Sequence, residues 1–219
     1  MVFAAGFLSG SSIGSGLVQA HLLLKRPKIS AQRDNYMKQF LTGNILLIVC
    51  CAFYLAWWII AFKPAGAVKG IKSGWLLIPA AACGLLAVIL ICRAIASSAK
   101  ESRLIPVLLI LIIAAAAYFI LLALSWFIMK RKVTTELFLI VGWAALATAQ
   151  ISALYGYGSY TKTAAMIFIA AIMIMAAVSM VCYLLYYNLD SVKGYIDGMI
   201  PLIIVMVMTA AIAGTALSG

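Results

Sequence analysis

The sequence predicts an all-α fold, a multi-pass transmembrane bundle with about seven membrane-embedded helices. Three observations lead there. First, 67% of the residues are hydrophobic and only 10% are charged, more apolar surface than a water-soluble core of this size can hide. Second, the apolar residues come in long uncharged runs, and a run of about 20 crosses ~30 Å of hydrocarbon at ~1.5 Å per residue. Third, the five acids, Asp34, Glu101, Glu136, Asp190 and Asp197, fall in the predicted loops or at span ends. Lipid offers no partners to backbone groups, so each span is read as a helix.

Six runs are clear: 40–62, 75–97, 104–129, 136–155, 163–187 and 198–217. A seventh, 2–24, is uncharged but rich in Gly and Ser. Val18-Gln19-Ala20 resembles a signal-peptide cleavage site, yet no Lys or Arg precedes the apolar stretch, as a signal peptide usually requires. The segment is therefore expected to be a membrane-embedded helix. The longest polar connection is Lys25–Lys38, so residues 1–219 read as one membrane domain with short loops.

The net charge is +11, and the basic residues cluster in connections. Placing the loop with Lys25, Arg26, Lys28, Arg33 and Lys38 in the cytoplasm also puts Arg93, Lys100, Arg103 and Lys162 there. The opposite face then holds Lys63, Lys69, Lys72, Lys130, Arg131, Lys132 and Lys193. The first set outnumbers the second, so the positive-inside rule puts the carboxyl terminus in the cytoplasm. The expected location is a cell membrane, most simply a prokaryotic inner membrane. Scattered basic residues fit anionic lipid headgroups and give no nucleic-acid surface. The Lys25–Lys38 loop also offers a docking surface for an acidic partner.

Aromatic residues mark the span ends. Trp57, Trp58, Trp75 and Trp126, with Tyr183, Tyr186 and Tyr187, fall on one face, and Tyr155, Tyr157 and Tyr160 on the other. An interfacial belt explains this placement.

Two small-residue stripes predict close helix approach. Gly6, Gly10 and Gly14 form one, beside Ser11 and Ser15, and suit a contact with another subunit or a second copy. Gly142, Ala145, Ala149, Ser152 and Gly156 form the other. Trp143, Gln150 and Tyr157 recur every seven residues on an adjacent face. Gln150 is read as the one amide well inside the last six spans. An unpaired amide in hydrocarbon costs several kcal/mol, so it requires a partner helix, a water-filled cavity or a ligand. Gln150, Trp143 and Tyr157, with Thr148 or Ser152 nearby, are thus the candidate ligand-binding residues. Pro79, Pro106 and Pro201 each follow an Ile and are placed near the first turn of a span, where a missing N–H costs little.

Candidate chemistry is sparse. The five Cys lie in apolar spans without a CxxC pair and read as packing residues. One His, His21, gives no bis-His haem ligation and no usual zinc site. Gly10-Ser11-Ser12-Ile13-Gly14 lacks the strand-to-helix setting of a nucleophile loop. Asp190 and Asp197 make a poor cation cage, and Asp197 is expected to cap the last helix. Arg93 sits near a helix end and can snorkel. No metal or cofactor is expected. With no carboxylate placed inside the membrane, ion-coupled pumping is not expected.

Three function classes remain. A non-catalytic membrane subunit or scaffold, with other membrane subunits or self-association as partners, fits the stripes and short loops best. A transporter or channel for a neutral or weakly polar solute fits Gln150 and the Tyr cluster. A lipid-modifying enzyme lacks visible acid–base groups.

Overall fold

In the computed structural model, the described residues are 12–61, 73–97, 105–127, 135–186, 189 and 191–218, and side chains are described from Asn35 onward, except at 73, 125, 135, 136, 191 and 218. Among them the chain is α-helical with no strand, and six helices are long and apolar enough to cross a membrane. They are α1 (Ser12–Ala61), α2 (Leu77–Ser97), α3 (Val107–Phe127), α4 (Thr135–Gly156), α5 (Lys162–Tyr186) and α6 (Ser191–Ser218). A short 3-10 turn, Ser73–Leu76, leads into α2.

The first helix corrects one expectation. Between Ser12 and Lys38 no turn separates the expected first span from the second. From Ser12 on the two are one helix, 50 residues long. At ~1.5 Å per residue that is ~75 Å, more than twice the hydrocarbon thickness. Among the residues whose side chains are described, its Asn35–Ala61 stretch is long and apolar enough to span. The physical reason is that polarity reports where a chain leaves lipid, whereas turning needs turn residues. No Gly occurs between Gly16 and Gly43, so nothing but Pro27 opposes helix through the basic stretch. The first part of the expected seventh span, with Gly6 and Gly10, lies outside the described residues.

α4 is the central helix. Of its membrane-spanning window 67% is buried, against 6% for α3. α4 packs on α5, α3, α6 and α2, while α3 packs only on α4 among the described residues. Exposed Leu108, Ile112, Phe119 and Ile120 leave α3 a lipid-facing edge helix. α1 lies against α2 and α6, and α5 joins α4 to α6.

The α1–α2 crossing is made close by glycine. A Cβ at Gly43 would stand 2.7 Å from Ile91 Cγ1 and 3.3 Å from the Ala87 carbonyl oxygen. A Cβ at Gly84 would stand 3.1 Å from Cys50 Sγ. Ala87, Ile91 and Ala94 are wholly buried on the facing side of α2. α4 is closed just past its end by Gly158, whose φ of 75° is left-handed. Its N–H donates to the Tyr155 carbonyl at 2.9 Å and that of Ser159 to Leu154 at 3.0 Å, closing the helix with a tight glycine cap.

Candidate functional site

The last helix begins at Ser191, seven residues before the expected span. Asp197 is therefore inside α6 rather than capping it, and Pro201 is inside the helix too. Glycine packing explains the difference. A Cβ at Gly194 would touch the Tyr186 carbonyl and ring, and one at Gly198 would overlap the Trp58 indole, 2.9 Å from Cε2. These glycines, four apart on one face, let α6 approach α5 and α1. The sequence pattern alone had assigned the stretch to a polar connection.

That arrangement leaves a partly open cavity of about 240 Å³ between α1, α4, α5 and α6. Its walls include Cys50, Cys51, Tyr54 and Trp58 of α1, Trp143 of α4, Cys182, Tyr183 and Tyr186 of α5, and Asp197, Pro201 and Val205 of α6. Trp58 is fixed at one end: its indole N–H donates to the Tyr195 carbonyl at 3.2 Å. It also meets the Tyr186 ring edge-on at 5.7 Å and that of Trp57 at 6.4 Å. Aromatic contacts of this geometry add about 0.5–1.5 kcal/mol each beyond burial. The belt reading therefore divides. Trp75 and Trp126 are exposed, but Trp58 is buried and forms a wall.

Asp197 is 8% exposed, and its Oδ2 has no hydrogen-bond partner among the described residues. The Cys182 thiol lies beside its carboxylate. Pro201 lacks the N–H that would serve the Asp197 carbonyl four residues earlier, leaving that acceptor without its regular helical donor. The expectation that every acid sits in a loop or at a span end is thus overturned for Asp197. It stands about 8 Å inside the Val192–Leu217 span at ~1.5 Å per residue.

The three residues proposed from the heptad spacing do not share one site. Trp143 lines the cavity. Gln150, two turns further along, is 2% exposed, and its Oε1 has no hydrogen-bond partner among the described residues. It lines neither this cavity nor the groove described next. Tyr157 is at the other membrane face, where its hydroxyl donates to the Ser97 carbonyl at 2.9 Å and its ring stacks on Tyr36 at 4.0 Å. Ser152 is close to that face, its hydroxyl accepting from the Ile105 N–H and donating to the Ile105 carbonyl, both at 2.9 Å. Thr148 donates to the Ala144 carbonyl of its own helix.

Gly142, Ala145 and Ala149 line a groove of about 820 Å³ between α2, α3 and α4. A Cβ at Gly142 would meet nothing within 4 Å, while Ala149 is buried. Gly14 falls in the α1 backbone, its surroundings outside the described side chains.

The burial of two polar residues, Asn44 and Asp197, was not foreseen. Asn44 of α1 is wholly buried, its Nδ2 donating to the Phe40 carbonyl at 2.8 Å and its Oδ1 without a partner among the described residues. Gln150 is therefore not the only buried amide. Asn44 was legible as an amide four residues inside the 40–62 run. Asp197 carried no such signal, because its depth depends on where α6 begins. The titrating groups outside the spans include Tyr160. Burial pushes its phenol above the ordinary value of 10.0, and the hydrogen bond with Thr215 acts the other way. No cluster of three or more His, Cys, Asp or Glu able to hold a metal occurs among the described residues.

No protein-family model, no curated protein and no solved structure matches this chain.

Proposed function

We propose that this integral membrane bundle binds a small, largely apolar solute in the cavity between α1, α4, α5 and α6, as a solute-carrying membrane protein. The observation that carries this reading is the cavity itself. Its aromatic and aliphatic walls surround a few polar groups, Asp197 the one charged group among them, the composition typical of ligand pockets. A purely structural bundle has no need of an apolar cavity beside a buried carboxylate whose Oδ2 has no partner among the described residues, since both cost stability. The location proposed is a cell membrane, with anionic headgroups meeting the basic connections.

The test is Leu202→Trp, which fills the cavity from α6. Small apolar and weakly polar solutes are expected to raise the melting temperature of the parent chain and to be taken up by proteoliposomes. Both effects should vanish in Leu202→Trp while its own folding persists. If no solute shifts the parent chain's melting or enters the liposomes, the reading fails.

A second reading, the non-catalytic subunit, is supported by the groove between α2, α3 and α4. There Gly142 faces open space beside α3, which among the described residues packs only on α4. Small residues at such a place admit another helix closely. Cross-linking from Gly142→Cys in native membranes tests it: a discrete adduct with another membrane helix is expected, and cross-linking to lipid alone would refute it.

A further inference from the structure

We propose that the ligand of this cavity is a small organic cation, a protonated amine on an apolar body, with Asp197 as its counter-ion. The inference rests on the solute-binding reading above and names the ligand's chemistry.

Four observations converge. The Asp197 carboxylate is more than nine-tenths buried and lines the cavity, with Oδ2 unpartnered among the described residues. A buried carboxylate oxygen without a hydrogen-bond partner favours a cationic ligand and rejects anions. Pro201 withholds the helical N–H from the Asp197 carbonyl. The Asp197 carbonyl thus lacks its regular helical donor on the helix that carries the carboxylate. Trp58, Tyr54 and Tyr186 supply aromatic surface in the same cavity, and the ring quadrupole attracts a desolvated cation, most strongly at Trp. Cysteine and aliphatic side chains complete a wall suited to hydrocarbon rather than to water.

Size and donor set select among cations. At a share of ~30 Å³ per water, 240 Å³ holds about eight waters, or one ligand of comparable bulk. Hard inorganic ions such as Ca²⁺ want about six to eight oxygen ligands. One carboxylate, one carbonyl and tyrosine hydroxyls do not provide them. An amine carrying a single ring fits both the volume and the walls. Lys193, one turn before Asp197 on α6, is exposed, and its ammonium is the basic group nearest in sequence to the carboxylate. It enters the test as a variant.

The test is calorimetric titration of the full chain in lipid nanodiscs, with protein-free nanodiscs subtracted. The probes are benzylamine, protonated at neutral pH, and benzyl alcohol, its neutral near-isostere. Benzylamine is expected to saturate one site per chain at least about tenfold more tightly than benzyl alcohol. Asp197→Asn should abolish that preference and leave benzyl alcohol affinity within about twofold. Should Asp197→Asn fail to fold, Trp58→Leu serves, weakening benzylamine more than benzyl alcohol. Lys193→Gln should leave the preference intact. Equal binding of the two probes by the parent chain overturns the cation assignment and leaves the solute reading standing. Saturable binding of neither overturns both. Loss of the preference in Lys193→Gln with its retention in Asp197→Asn moves recognition away from the carboxylate and refutes the proposal.

Discussion

Adding one methyl group at Gly43 and one at Gly142 should move stability in opposite directions. Both residues are helical, so Gly→Ala at either gains ~1 kcal/mol of helix propensity. At Gly142 the new Cβ meets nothing within 4 Å, and that gain is the whole effect. At Gly43 the Cβ would stand 2.7 Å from Ile91 Cγ1 and 3.3 Å from both the Ala87 carbonyl oxygen and the Ile91 nitrogen. Two of those three atoms are backbone, and Ile91 is wholly buried, with no open space to rotate into. Overpacking of this kind costs ~1–3 kcal/mol. Gly43→Ala should therefore end between neutral and ~2 kcal/mol less stable than the parent, and Gly43→Leu lower still. The difference between the two Ala variants, ~1–3 kcal/mol, does not depend on the propensity value used. At 2–4 °C per kcal/mol for a chain of about this size, it is roughly 2–12 °C in melting temperature. Thermal unfolding of both variants in the same detergent, read by tryptophan fluorescence, measures it. Equal shifts for the two, or a rise at Gly43 as large as at Gly142, would refute a glycine-mediated α1–α2 crossing.

Gln150→Leu should leave melting unchanged or raise it by up to ~1 kcal/mol equivalent. The buried Oε1 has no partner to lose among the described residues, and an unsatisfied acceptor costs stability. A fall of several degrees would show that the amide is bonded after all. Tyr157→Phe removes the hydrogen bond to the Ser97 carbonyl but keeps the stack on Tyr36, so a loss of ~1 kcal/mol is expected. A loss as large as that of Tyr157→Ala would instead assign the whole effect to the hydroxyl. The Tyr160 phenol lies outside the spans and is held above its ordinary value of 10.0, chiefly by burial. Its contribution is thus fully present below that value and declines as pH rises through the raised folded value. Melting curves between about pH 9 and 12 should fall more steeply for the parent than for Tyr160→Phe, and parallel curves would refute the assignment.

The amino-acid sequence determined the solvent of this protein, and with it the secondary structure. Runs such as 104–129 and 163–187 are apolar on every side, and in lipid only internally bonded helices satisfy their backbone. Helix identity and approximate bounds were therefore legible run by run, as was the burial of Gln150, because an amide surrounded by hydrocarbon has to turn inward. Heptad spacing put Trp143 and Gln150 on related faces of α4, with Tyr157 one residue past its end. It did not make them one site, since seven residues of helix separate neighbours by ~10 Å along the axis. What the tertiary structure alone decided was which small residues are contact points and which polar residues are deep. Gly43, Gly84, Gly194 and Gly198 carry the close crossings, yet no local pattern distinguishes them from Gly142, which faces a groove. A glycine's role depends on the helix opposite it, and that is a non-local fact. Asp197 makes the same point most sharply. Seven residues of additional helix, made possible where Gly194 meets Tyr186 and Gly198 meets Trp58, carried a carboxylate from an expected helix cap into the wall of a cavity.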